Sequence, residues 1–156
     1  MRKDGSPLPE VGWGQRLALN VMPPIQGTVS GEITATSVIN LGTPRFSGAI
    51  KNVWLSVGQC GRDDSGNTLS LSADVRINGT TVLATQPVIA AVTGEAAVQK
   101  TTAKTGDTGV TVAVLDFTNY TFSAGATIEA EFVLVRTATP DDEMANPCVV
   151  VELEPT

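Results

Sequence analysis

The chain is predicted to fold as one all-β domain, an antiparallel β-sandwich of about seven or eight strands. Three observations carry that reading. Apolar and polar residues alternate with period two at residues 33–41, 69–77 and 126–137, the spacing of a strand with one buried face. Asn78-Gly79 separates two such runs, and Asn-Gly suits a type I′ hairpin because both central residues need positive φ. No amphipathic helical stripe extends beyond a single turn at residues 95–100.

Taken in order, residues 1–27 hold Pro7, Pro9, Pro23 and Pro24 with Gly5, Gly12, Gly14 and Gly27. Proline fixes φ and removes a donor, so an extended arm without regular structure is expected here, with the sandwich spanning residues 28–156. The arm nevertheless carries Trp13, Leu17, Leu19, Val21 and Met22. It either packs along its own domain or reaches onto a neighbouring subunit, because termini are ordered only when something ties them down.

Ile33, Ala35, Ser37, Ile39 and Leu41 mark the first strand, ended by Gly42-Thr43-Pro44. From Phe46 to Cys60, Val53, Leu55 and Val57 share one face, and Ile50 and Trp54 the other. Two apolar faces suggest a central strand or one face covered by a partner, with Trp54 expected in the core. A turn follows at residues 61–67. Leu69, Leu71, Ala73, Val75 and Ile77 then alternate with Ser70, Ser72, Asp74 and Arg76. A two-residue hairpin loop pairs Ile77 with Thr80 and Val75 with Val82. It also places Leu83 on the polar face opposite Asp74, either beneath a loop or on a contact surface.

Residues 90–109, rich in Ala, Thr, Gly and Lys, read as a long exposed loop of the kind that is usually functional or mobile. Val110, Val112 and Val114 give another strand, and residues 117–122 turn a corner. In the long strand after Gly125, Ile128, Ala130, Phe132 and Leu134 line one face, while Glu129 and Glu131 give way to Val133 and Val135 on the other. Asp141-Asp142-Glu143 forms a solvated acidic turn, and Val149, Val151 and Leu153 point inward from the last strand.

A chain of 156 residues buries a sizeable core without staples. Its net charge of −6 and scattered Lys and Arg argue against nucleic acid. No apolar run reaches the ~20 residues of a membrane helix. The charged start lacks the apolar segment of a secretion signal, so synthesis in a reducing cytoplasm is expected, with Cys60 and Cys148 as two buried thiols in preference to the disulfide that two neighbouring strands would allow.

There is no histidine, which removes the commonest general base and metal ligand. Ser56 lacks the flanking glycines of a nucleophile elbow. Asp63-Asp64-Ser65-Gly66-Asn67 lacks the ligand spacing and distal Glu of a calcium loop and reads as an Asx-type turn. Neighbouring carboxylates at 141–143 do not face each other across a cleft as glycoside hydrolysis requires. No enzyme activity, metal or cofactor is expected.

Tyr120-Thr121-Phe122-Ser123-Ala124-Gly125-Ala126-Thr127-Ile128, the strand ending Leu134-Val135-Arg136-Thr137-Ala138-Thr139-Pro140, and the closing Pro147-Cys148-Val149-Val150-Val151-Glu152-Leu153-Glu154-Pro155, with the Ile77-Asn78-Gly79 hairpin, resemble small virion proteins of tailed bacteriophages. Capsid decoration (cement) proteins and head-fibre domains belong to that group. The resemblance covers residues 65–155 and transfers no functional residue. It implies a jelly-roll-like sandwich on the capsid surface, a homotrimer, with the major capsid protein as partner and neither nucleic acid nor membrane bound. A receptor- or glycan-binding domain of a fibre is the alternative, and would need exposed aromatics or a cleft on loops such as 61–68 or 90–109. Expected contact residues are Trp13, Leu17, Leu19 and Val21 in the arm, with Leu83, Val133 and Val135 on the domain.

Overall fold

The computed structural model describes residues 22–64, 68–136 and 140–156. Trp13, Leu17, Leu19 and Val21 lie outside the described residues, as do residues 65–67 and 137–139.

The described chain is all-β. Its strands are β1 (Ile25–Thr28), β2 (Ser37–Gly42), β3 (Gly48–Gln59), β4 (Ser70–Ile77), β5 (Thr80–Thr81), β6 (Leu83–Thr85), β7 (Val88–Ala90), β8 (Lys100–Thr101), β9 (Val110–Thr111), β10 (Val114–Leu115), β11 (Thr121–Phe122), β12 (Ile128–Val135) and β13 (Ala145–Pro155). The count exceeds the seven or eight expected because β5 to β11 are each three residues or shorter. Such pieces are too brief to leave an alternation signal.

One sheet has the order β1-β13-β3-β11, with β8 also on β3. The other has the order β2-β12-β4-β7-β9, with β5 on β4. All pairings are antiparallel, and β6 with β10 continues the ladder begun by β7 with β9. The core lies between the sheets. Val53, Leu55, Val57, Val149, Val151 and Leu153 enter it from the first sheet. Leu71, Ala73, Val75, Ile128, Ala130 and Phe132 enter from the second. These are the inward positions that alternation assigns on β3, β4, β12 and β13. Each fully buried Val, Leu, Ile or Phe contributes about 1.5–3 kcal/mol by leaving water.

The hairpin forms as expected. Asn78 and Gly79 have φ of 50° and 81°, Ile77 faces Thr80, and the Val82 N–H donates to the Val75 carbonyl at 2.9 Å. The turn also braces the domain end, since Asn78 Oδ1 accepts from the Thr127 N–H at 2.9 Å.

Several expectations are corrected. The sandwich begins at Ile25 rather than Thr28, because β1 pairs with β13 along Ile25↔Val151 to Thr28↔Cys148. Pro23 and Pro24 precede this strand and leave its donors intact. Residues 33–36 are not in a strand; β2 starts at Ser37, although Ile33 is buried. Ile50 shares the inward face with Val53 instead of opposing it. The register slips there, Asn52 facing Glu152 and Ile50 facing Leu153, so Lys51 is an extra residue that shifts the side-chain period by one. Trp54 lies on the outer side of the sheet, half-buried, opposite Val150.

The segment 110–115 divides into β9 and β10, with Ala113 and Leu115 packed toward the core and Val112 and Val114 exposed. Residues 90–109 are not a wholly exposed loop. β8 adds to β3, and Lys100 and Thr102 are buried. The Thr102 hydroxyl accepts from the Leu55 N–H at 2.9 Å. Cys60 and Cys148 are both free thiols, and partial burial pushes the Cys148 thiol upward from its ordinary pKa.

Candidate contact surfaces

The expected contact residues on the domain divide in two. Val133 and Val135 point outward from β12, Val135 being 53% exposed. Leu83 is only 6% exposed and belongs to the core. The chain leaves β4 after Val82 and rejoins it where Pro87 accepts from the Ala73 N–H at 3.2 Å. Residues of β6 between these points pair with β10, Leu83 lying opposite Leu115. This excursion turns Leu83 inward, so simple alternation from the hairpin assigns it the wrong face.

The outer face of the second sheet has a charged centre. Val38 lies opposite Glu131, and Glu131 opposite Asp74, so the three strands present these side chains on one side. Like charges directly opposed across a ladder repel. Arg76 resolves this: its Nε donates to Asp74 Oδ2 at 2.8 Å, and its other nitrogen binds Glu131 Oε2. The Thr81 hydroxyl donates to Asp74 Oδ1 at 2.5 Å. Asp74 is only 4% exposed, which makes this a tightly held cluster rather than a solvated polar face. The paired carboxylates, Asp74 foremost, raise the guanidinium above its usual pKa. Val38, 56% exposed, shares this face with Val135. Rigid charge beside exposed aliphatic surface is what protein partners use for register and affinity respectively.

A second feature escaped the sequence reading. Between β10 and β11 the chain makes a turn locked by Asp116. Its Oδ1 accepts from the Thr118 N–H at 2.9 Å, its Oδ2 from Asn119 Nδ2 at 2.9 Å, and its carbonyl from the Asn119 N–H at 3.0 Å. The turn is tied to both sheets, since Asp116 N–H donates to Val82 and Ile50 N–H donates to Tyr120. Phe117 projects from it, 75% exposed, its ring edge-on to Tyr120 at 5.4 Å between centroids. The available signal was Asp-x-Thr, an Asx-turn pattern that holds the following residue at a tip.

The Thr118 bond and its partners hold the Asp116 carboxyl below the usual carboxylate range. A group depressed in the folded state stabilises above its unfolded pKa and ceases to do so as pH falls through the folded value. The Thr118 amide is therefore expected to be protected from exchange at neutral pH and to lose that protection as pH falls through the lowered pKa of the Asp116 carboxyl. In Asp116→Ala its protection, relative to an unstructured amide at the same pH, should be low throughout. Amide exchange followed by NMR checks this, and equal protection in the variant would contradict it.

The third feature is a pocket of about 420 Å³ formed where residues 95–100 and 106–108 meet, with Glu95, Gln99, Lys100 and Asp107 in its lining. Lys100, only 6% exposed, donates to Glu95 Oε2 at 2.8 Å and to the Thr108 carbonyl at 3.0 Å. The buried ammonium thus has two acceptors, which offsets its desolvation.

The acidic segments near the chain's other turn hold each other. Asp64 binds Arg62 Nε at 2.8 Å and accepts from the Gly94 N–H at 3.0 Å. The Gly94 bond foremost lowers the Asp64 pKa. Asp141 accepts from the Asp64 N–H at 2.8 Å, and Glu143 pairs with Arg136 at 2.5 Å. Glu143 is therefore partly buried structure, not a solvated turn residue. Among the described residues no three His, Cys, Asp or Glu side chains converge as metal ligands.

No family model, curated protein or solved structure matches the chain.

Proposed function

We propose that this chain is a structural virion protein of the capsid-decoration kind. On this reading it binds the outer surface of a tailed-phage capsid through the major capsid protein and stabilises contacts between capsomers. The observation that carries the reading is the outer face of β2, β12 and β4. Val38 and Val135 lie exposed there beside the braced Asp74–Arg76–Glu131 cluster. A clamp across a seam needs a surface that does not deform, and a charged cluster fixed by hydrogen bonds supplies register. The jelly-roll connectivity, the trimer and the virion location implied by the resemblance belong to the same proposal. So does the role of Trp13, Leu17, Leu19 and Val21 as an arm reaching a neighbour.

Heating capsids with and without the protein tests this. Heads assembled from the major capsid protein of the same genome should release their contents at a lower temperature without this chain. Adding the purified protein back should restore the higher temperature. Heads whose stability is indifferent to the protein would refute the decoration role.

A second reading, a glycan-binding domain of a head appendage, draws on the polar pocket at residues 95–108. Glu95, Gln99 and Asp107 offer the carboxylate and amide groups that bind sugar hydroxyls. Binding to a glycan array that is lost in Glu95→Gln would favour it.

A further inference from the structure

We propose that copies of this chain join head to tail, the Phe117 ring of one copy entering an apolar socket on the opposite edge of the next. The socket is a cavity of about 180 Å³ lined by residues that include Met22, Ile25, Thr43, Pro44, Phe46 and Leu153. A cavity of roughly 150 Å³ lined by aliphatic and aromatic groups accepts a benzene ring, so this one has room for a phenyl group.

Topology separates the two features. Ile25 and Thr43 belong to β1 and to the turn leaving β2, the strands that begin the two sheet orders. Phe117 lies between β10 and β11, at the other margin of both sheets. Strands β1 and β11 are three ladder spacings apart, which is about 14 Å. A projecting ring on one edge and a complementary socket on the other define a heterologous contact, which propagates until a ring closes.

Both parts are ready to meet. The Asp116 turn fixes the backbone on either side of Phe117, so little backbone ordering entropy is lost on docking. Charge is complementary as well. Arg45, between the socket residues Pro44 and Phe46, is exposed, and none of the ion pairs seen among the described residues involves it. Asp116, at the base of the projecting ring, is a carboxylate held ionised. Seating Phe117 in the socket brings these opposite charges to the same rim. The contact stands independently of the capsid reading, and its failure would leave that reading intact.

The test is sedimentation of the full chain and two variants, separately and mixed. Phe117→Ala removes the ring but keeps the socket. Thr43→Trp fills the socket but keeps the ring. Wild type should associate beyond the monomer, and each variant should associate about 30-fold more weakly. A mixture of the two should form one-to-one pairs that grow no further, because one ring and one socket remain between them. Wild type that stays monomeric, association unchanged in Phe117→Ala, or a mixture that stays monomeric would each overturn the proposal. So would association lost in Trp13→Ala but kept in Phe117→Ala, which assigns the socket to the N-terminal segment. A readout insensitive to folding is photo-crosslinking from benzoylphenylalanine at position 117 in mixed isotope-labelled chains. Crosslinks between copies to residues 22–25 or 42–46 support the contact, and crosslinks elsewhere or none contradict it.

Discussion

Replacing Arg76 by Met should destabilise the fold by about 3 kcal/mol, the cost of leaving the buried Asp74 carboxylate without its ion-pair partner. The cause is the alignment of Asp74 directly opposite Glu131, with Arg76 bridging both. Without the guanidinium, a carboxylate that is 4% exposed faces a second one across the ladder. The remaining Thr81 hydroxyl bond satisfies one oxygen but no charge. Asp74→Leu/Arg76→Met/Glu131→Leu should recover most of the loss, because no buried carboxylate is then left unpaired and apolar replacement of all members of an ion-pair cluster is often neutral or stabilising. Urea denaturation of the three proteins checks both statements. A loss below about 1 kcal/mol in Arg76→Met, the range of surface pairs, would show that the cluster is merely superficial.

The second large effect is expected from Phe132→Ala, at about 4 kcal/mol. Among the described residues, Phe132 is the largest fully buried side chain. It enters the core from β12, which pairs with β2 on one side and β4 on the other. Backbone held on both sides leaves little freedom to collapse into the vacated space, and cavity cost rises where relaxation is restricted. Thermal or urea unfolding measures the loss. A cost near 1 kcal/mol would mean that the two sheets approach to fill the gap.

What the sequence made legible was the part governed by local periodicity. The Asn78-Gly79 turn, the buried faces at Leu71, Ala73 and Val75, at Ile128, Ala130 and Phe132, and at Val149, Val151 and Leu153 all follow from alternation and turn chemistry. Errors begin where register slips. Lys51 moves Ile50 to the other face, and the excursion after Val82 buries Leu83. A bulge leaves no compositional mark, yet it inverts every later assignment on its strand. Lys100 was missed for another reason: lysine is almost never fully buried unless paired, and its partners Glu95 and Thr108 are brought to it only by the fold-back onto β3.

The exposed apolar positions of the candidate face were legible in part. Val133 and Val135 stood out as apolar residues on a charged face, and the structure keeps them there. Val38, next to the inward Ile39, is an ordinary outward position by alternation alone; its significance comes from lying across the ladder from Glu131. Phe117 was read only as part of a corner. Its exposure depends on the hydrogen bonds of Asp116, which composition does not reveal.

The central claim is that the outer face of β2 and β12 is the surface through which the protein works. It is tested most directly by co-sedimentation with capsids assembled from the major capsid protein of the same genome. Wild type should pellet with the capsids at saturating stoichiometry. Val38→Lys/Val135→Lys, with both substitutions at exposed positions and circular dichroism unchanged, should stay in the supernatant, its affinity down by about 100-fold. A doubly substituted protein that pellets as the wild type does would contradict the claim.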